Sequence, residues 1–582
     1  MSDNVSPVEQ VPAELWMVIF ELLETPRDLI SIVQTCRSFY NYAIRALHRN
    51  IVWKTPTAFV HNIPFWRDAP QVLLDSVQSL DLGVSTLPDY GPGLLVDRDG
   101  WTFMRQDPDP LYMYPDGPWV EEDTEDVHNL PIIKSIKFYK IEQSFATTDL
   151  YASLIGRLTS FTKLRTLRLE NLFFTDELFG ALHMLPSLRT LHIESCFFPR
   201  KKNVTARDHS TLPITELTML NLYRQVLRGG QPGPRDNANF AQFADMDEDI
   251  SYALNIASAR NLRTLRVDST ADVFALVYRR REHGVYLFKI PENLTHLFVL
   301  RKRIIKNAVQ PTYHSEQLFP IAVYAILDRC PTLTTVSLGY PLPKHQNFPK
   351  YNTLPNLTHC EGTLETILAL TVGRPVRALS ILRSEAPLEN ILDTLARKAQ
   401  SHPELEMLSL HCKVWDLEIL DAICQLFPKL RKLRLTFDVR KPGKLWEHTD
   451  YWDDALQPYE LYPFTGEARG QPEATPVSHG PDEDTIVSFG PHYLYRLEHL
   501  HTAEIFAIPS NLTVEHPLFL YDNTYESIDE ELRNLVIPWN RYCKSLREVQ
   551  LHAGYVMRRG YEGGRWAMHK QYEINEASDF SY

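Results

Sequence analysis

Paired cysteines are missing from this chain. Its seven (Cys36, Cys196, Cys330, Cys360, Cys412, Cys424 and Cys543) are scattered, odd in number and never in a CxxC pair. That excludes a disulfide framework and the close thiolate pairs of a structural zinc site. Long apolar runs are missing as well: none approaches the roughly 18 residues of a bilayer-spanning helix, and the opening MSDNVSPVEQ is polar and acidic where a secretory leader is basic and then apolar. Positive charge is in deficit, with 60 Lys plus Arg against 73 Asp plus Glu and a net charge of -13. Nothing in the bulk therefore draws the chain to phosphate backbones or anionic lipid. The expected setting is intracellular, cytoplasmic and/or nuclear, with neither nucleic acid nor membrane as partner.

Catalytic signatures are equally scarce. There is no Gly-rich phosphate loop ending in Lys-Ser or Lys-Thr, no GxSxG turn, no HExxH pair and no EF-hand loop. Neighbouring acid and imidazole pairs such as Glu282 with His283, or Glu498 with His499, would point to opposite faces of a strand. The expectation is a protein with no catalytic residues, no cofactor and no metal; an enzyme with a dispersed site is the remaining alternative.

What is present is apolar material in quantity, 44% of the chain with 11% aromatic, enough for a large core or a repeat array. Residues 1–10 are expected to be disordered. From 11 to 53 the apolar positions fall into three helical stretches. Pro12 suits a first helical turn and Glu14 its positive dipole end; Leu15, Ile19, Leu22 and Leu23 form one stripe, broken at Thr25 and Pro26. Leu29, Ile32, Val33 and Cys36 form a second, and Phe39, Ala43, Leu47 and the terminal Trp53 suggest a third. Three helices in so short a span bury little by themselves, so a covering partner is expected.

This segment resembles the F-box. The matching residues, in order, are Pro12, Glu14, Ile19, Leu22, Leu23, Asp28, Leu29, Val33, Cys36, Arg37, Phe39 and Trp53, with Val11 where Leu is usual. The resemblance implies that residues 11–55 bind a Skp-type adaptor and through it a cullin-RING ligase, Leu15 joining the apolar surface. The alternative for these residues is a helical cap on a solenoid.

A second pattern, Leu-x-x-Leu-x-Leu, recurs ten times: from Leu164, Leu188, Leu217, Leu262, Leu294, Leu333, Val376, Leu405, Leu430 and Leu546, with weaker copies from Val77, Ile133 and Leu497. It resembles a leucine-rich repeat with long, irregular spacing. The fourth and sixth residues of each copy should point into a core from a strand, and the stretches between, such as that from Trp415, read as helices. Cys196 alone sits where the family's ladder residue is expected, as a buried small hydrophobe. The fold class expected is α/β: a three-helix F-box, then over 56–555 an irregular leucine-rich-repeat solenoid with parallel strands on its concave face, like the divergent repeats behind many fungal-type F-boxes. Loop insertions are expected near 88–129, 228–249 and 440–490, with Tyr112, Tyr114, Trp119, Trp446 and Trp452 as possible anchors, and a hairpin cap and tail over 556–582.

Strand alternation points Arg168, Glu170, His192, Glu194, Asn221, Tyr223, Arg266, Asp268, His296, Phe298, His411 and Arg434 away from the leucines. This set is the expected contact surface for a protein substrate, with Tyr223, Arg266 and Phe298 its first candidates because aromatics and Arg are enriched among binding hot spots. The functional expectation is a substrate receptor of a Skp-cullin-F-box type ubiquitin ligase, the alternative a repeat scaffold without ligase role.

Overall fold

In a computed structural model of the chain, the described residues are 11–54, 62, 65–83, 95–96, 102–103, 151–198, 207–224, 253–268, 291–300, 323–339, 353–439, 489–509, 532–552 and 555–570, apart from positions 24, 171, 173, 175, 195, 221, 222, 292, 325, 385 and 414. The weak copy at Ile133, the insertion 228–249 and the five loop aromatics lie outside them. So do the other two insertions, except for a two-residue ladder, Leu95–Val96 with Thr102–Phe103, and residues 489–490. The chain divides into two compact units, Met1–Thr295 with Lys302–Cys330, and His296–Arg301 with Pro331–Tyr582.

The first unit opens with α1 (Ala13–Glu21), α2 (Pro26–Val33) and α3 (Arg37–Leu47). Thr25 caps α2 by accepting from the Asp28 amide at 3.2 Å, with Pro26 in the first turn where no amide is needed. Cys36 caps α3 through its sulfur, which accepts from the Phe39 amide at 3.4 Å. Phe20, Leu29 and Ala43 form the centre of this bundle, with Trp16, Leu23, Ile32, Val33, Phe39 and Leu47 packed round it. Trp16 and Phe39 each lie against Phe20, at ring separations of 5.7 and 5.3 Å.

Trp53 is not helical. It ends β1 (Asn50–Trp53), which pairs in parallel with β2 (Ser79–Gly83), and its ring lies 6.4 Å from that of Trp66. The ladder continues through β3 (Thr166–Glu170), β4 (Thr190–Glu194), β5 (Glu216–Leu220) and β6 (Thr264–Asp268), each parallel to the last. Helices α4 (Tyr151–Leu158) and α5 (Asp176–His183) lie between strands in sequence. Leu167 and Leu169, Leu191 and Ile193, Leu217 and Met219, and Leu265 and Val267 are all buried as inward pairs.

In the second unit, β7 (His296–Leu300), β8 (Thr335–Leu338), β9 (His359–Gly362), β10 (Ala378–Ser384), β11 (Met407–Cys412), β12 (Lys432–Val439), β13 (Thr502–Pro509) and β14 (Glu548–His552) pair in parallel in sequence order. Then β15 (Tyr555–Arg558) and β16 (Ala567–Lys570) turn back as an antiparallel hairpin, with Gly563 at φ +75° in its connection. Helices α6 (Leu364–Leu370), α7 (Leu388–Ser401) and α8 (Leu417–Leu426) bury one side each. Because a parallel strand needs a crossover, a helix or turn between copies is the natural connection.

A shared turn precedes many strands: Leu164 donates to Phe161 O, Leu188 to Leu185 O, Leu262 to Ala259 O, Leu430 to Phe427 O and Leu500 to Leu497 O. The copy read from Leu217 begins at Ile214, so its inward residues are Leu217 and Met219; the copy read from Leu497 begins at Leu500, the earlier leucine belonging to the turn. Strand β9, like β1, lies where the sequence pattern gives no copy: Cys360 and Gly362 stand where leucines would. A Cβ on Gly362 would lie 2.9 Å from Thr366 Cγ2, so the close approach of α6 selects glycine.

Helix α7 carries a lysine into this interior. Lys398 is buried, its Nζ donating to Thr371 Oγ1, and burial pulls it down to about 8. His402 beside it bonds through Nε2 to the carbonyls of Thr371 and Arg374, at 3.1 and 3.0 Å.

Candidate functional site

Two surfaces hold the residues singled out by sequence. On the helical bundle, the face of α1 away from the core presents Leu15 (54% exposed), Val18, Ile19 and Leu22 (75% exposed), and Ile30 of α2 is exposed as well. Pro12, Glu14, Asp28, Cys36 and Arg37 are exposed. The adaptor set thus divides. Leu29 is buried in the bundle's own core, where Leu23, Val33 and Phe39 also pack, so these four shape the bundle rather than its outer surface. Helical periodicity identifies an apolar stripe but does not say which of two stripes faces inward.

On the sheet, register places Val52, Asp81, Arg168, His192, Thr218 and Arg266 in one row across β1 to β6 of the first unit, on the face opposite the leucines. Lys54, Glu170 and Glu194 lie alongside. Here the sequence-selected residues do come together: Arg168 bonds Glu194 at 2.8 Å and approaches Glu170 at 3.8 Å, His192 Nε2 meets Glu194 at 2.9 Å, and Lys54 bridges Asp81 at 3.2 Å and Glu170 at 3.5 Å. The hydrogen bond from His192, with the Arg168 charge, holds Glu194 below the usual carboxylate range against the effect of its burial. These groups are half-buried, and Val52 among them is 60% exposed.

Tyr223 does not belong to this face, and Asn221 lies outside the described residues. The register shift ends β5 at Leu220, and Tyr223 falls in a separate two-residue ladder opposite Phe197. The side chain of Asp268 lies outside the described residues.

The corresponding row of the second unit is Phe298, Ser337, Glu361, Ser380, Ser409, Arg434, Glu504 and Gln550. It is closed. Phe298 is 3% exposed, in a small apolar cluster with Ala378, Met407 and the flanking Leu300, and all the others except Arg434 are buried. Phe298, expected at the surface, is core. Its polar neighbours tolerate burial by pairing: Ser337 Oγ donates to Glu361, and Glu504 is held by Lys432 at 3.2 Å and Arg434 at 3.4 Å. His411 shares a hydrogen bond of 2.8 Å with Thr436 Oγ1, and His296 is half-buried on the neighbouring row. Strand alternation alone predicts polar side chains at the surface, but a polar row that satisfies itself can be covered.

Cys196 is fully buried, its thiol within 3.4 Å of Leu169 O and 3.3 Å of Glu194 O, and burial pushes it up to about 12. Among the described residues no cluster of three or more His, Cys, Asp or Glu could hold a metal ion, and no helix is long and apolar enough to cross a membrane.

Parallel strands with an inward apolar pair, many of them preceded by the same turn, define an α/β leucine-rich-repeat fold. No family model and no curated protein matches the chain. Among solved structures it is similar to an internalin (inlF) from Listeria monocytogenes str. 4b F2365, at 13% identity over 48% of this chain and 69% of that one, with a TM-score of 0.23. It is also similar to the leucine-rich repeat domain of APL1, at 16% identity over 49% and 53% with a TM-score of 0.19. A third similarity is to TLR13 in a complex with ssRNA13, at 10% identity over 84% and 52% with a TM-score of 0.26.

Proposed function

We propose that this chain is a substrate-recognition subunit of a Skp-cullin-F-box type ubiquitin ligase, α1 to α3 docking the adaptor and the repeat body holding a protein substrate. The observation that carries the reading is the apolar stripe Leu15, Val18, Ile19 and Leu22, exposed on a bundle whose inward residues are already spent on Phe20, Leu29 and Ala43. A contiguous exposed apolar face on a small helical bundle marks an interaction site, and the order of residues from Pro12 to Phe39 follows the F-box pattern. The half-exposed charged face of the first unit, from Lys54 and Asp81 to Glu194, is the surface assigned to substrate; the closed row of the second unit is not. The chain does no chemistry in this scheme: it raises the local concentration of a substrate lysine near the charged ubiquitin carrier.

Full-length protein with a Skp-type adaptor, analysed by co-purification, tests the reading. Leu15→Asp with Leu22→Asp puts two charges into the closed interface and should abolish capture while the thermal melt is unchanged, both side chains being exposed in the free chain. Wild-type protein that fails to hold the adaptor, or a double variant that still does, leaves a repeat scaffold without ligase role.

A further inference from the structure

Each parallel ladder extends one residue ahead of its strands. In the first unit the amide of Arg165 donates to Gln78 O at 2.8 Å, Arg189 to Arg165 O at 2.7 Å, Thr215 to Arg189 O at 2.7 Å and Arg263 to Thr215 O at 2.8 Å. These residues therefore occupy successive rungs, ~4.8 Å apart, at the edge where the strands begin. Arg165, Arg189 and Arg263 are exposed, as is Arg260 nearby in the chain. Among the described residues none of the four forms an ion pair; Arg189 donates to Pro213 O at 3.3 Å. Glu216, beside the ladder, accepts from Thr190 Oγ1 at 3.4 Å, and Lys163 acts on Asp75.

The second unit provides an internal comparison. Its rungs carry Arg377, Glu406 and Arg431 in order, and Glu406 pairs with both arginines, at 3.6 and 3.7 Å. There the repeat position supplies its own carboxylate between two cations. The same position in the first unit supplies none, and unpaired like charges on adjacent rungs repel, a cost without return in the free chain.

We propose that the strand-start edge of the first unit is a docking ridge for an acidic segment of a partner protein, held by Arg165, Arg189, Arg263 and Arg260. The inference rests on the reading of the chain as a binding protein, but uses a surface separate from the adaptor stripe. Guanidinium forks match carboxylates two at a time, and carboxylates two residues apart on an extended segment stand ~7 Å apart, within reach of neighbouring forks. An acidic protein segment is favoured over nucleic acid because the chain's net charge of -13 opposes a long polyanion, whereas a short segment meets the ridge alone.

The test uses the full chain and fluorescence anisotropy of a short labelled peptide of alternating Glu and Ser, with its Gln-for-Glu counterpart and a short oligouridine. The Glu peptide should bind, weakening as salt rises, and the Gln peptide should not. The triple variant R165E/R189E/R263E should lose roughly tenfold or more in affinity, one power of ten per ~1.4 kcal/mol, whereas Arg547→Glu in the second unit should not alter it. Arg→Gln at the same three positions gives a version without charge conflict should the reversal disturb folding, and it too should weaken binding. Equal binding of the Glu and Gln peptides, undiminished binding by the triple glutamine variant, or tighter binding of oligouridine than of the Glu peptide would each overturn the proposal. Adaptor capture measured on the same proteins reports separately on the ligase reading, so a failure of one is not mistaken for a failure of the other.

Discussion

Replacing Lys398 with methionine should make the protein more stable at neutral pH. Lys398 lies buried on α7 and its ammonium is pulled from the ordinary 10.5 to about 8 by loss of solvent. A shift of that size corresponds to about 3 kcal/mol against the charged form in the folded state. The penalty is fully present below pH 8 and disappears as pH rises from about 8 to 10.5, where the unfolded chain also loses its proton. Methionine keeps the length of the side chain and removes the charge. The bond to Thr371 Oγ1 is forfeited at about 1 kcal/mol, yet Thr371 still donates to Ile367 O at 2.6 Å and is not orphaned. The net expectation is a gain of about 2 kcal/mol at pH 7, shrinking to zero or a slight loss near pH 10.5. Urea denaturation of both proteins, followed by circular dichroism at pH 7, 9 and 10.5, reads this directly. A variant less stable than wild type at pH 7, or a difference that does not change with pH, would refute the reasoning.

Three further expectations follow from other interior groups. His209 stands 3.3 Å from His183 and near Arg207, and burial, reinforced by both neighbours, lowers it to about 4. As a base held neutral in the fold, it contributes stability that is complete above pH 6.5 and lost as pH falls towards 4, so His209→Gln should flatten the pH dependence of stability in that window by about 3 kcal/mol. Six of the seven cysteines are buried and Cys36 is exposed; iodoacetamide at neutral pH should label Cys36 in the native protein and all seven after denaturation, mass spectrometry giving the sites. Gly362→Ala should destabilise by about 1–3 kcal/mol through overpacking against Thr366, measured by thermal melting, and Gly362→Ala with Thr366→Ser should recover part of it.

The repeat was legible wherever two leucines or their like occupy the inward positions, as at Leu167 with Leu169 and Leu433 with Leu435. It was misaligned by three residues at Ile214 and Leu500, where a leucine of the preceding turn or of the following segment imitates the start of the motif. It was invisible at β9, where Cys360 and Gly362 do the packing; the preceding Leu354 and Leu357 were the available signal. Solvent exposure was the least legible property. Phe298 and Glu361 share a row with serines, and no local pattern says that such a row closes over, whereas the equivalent row at Asp81, Arg168 and His192 stays half open. The arginine after the first leucine of LRTLRL, LRTLHI and LRTLRV is plain in sequence, but only the backbone ladder shows that these arginines occupy one edge.

Within each unit, every strand from β1 to β6 and from β7 to β16 pairs with its predecessor in sequence. A chain leaving the ribosome could therefore lay each of these strands against one already in place, while the short segment Phe197–Phe198 waits for Tyr223–Arg224. The cost of such vectorial assembly is that the growing sheet always presents one raw parallel edge. In the second unit the hairpin of β15 and β16 covers the raw edge of β14 with an antiparallel ladder, which a short turn can supply without a further crossover.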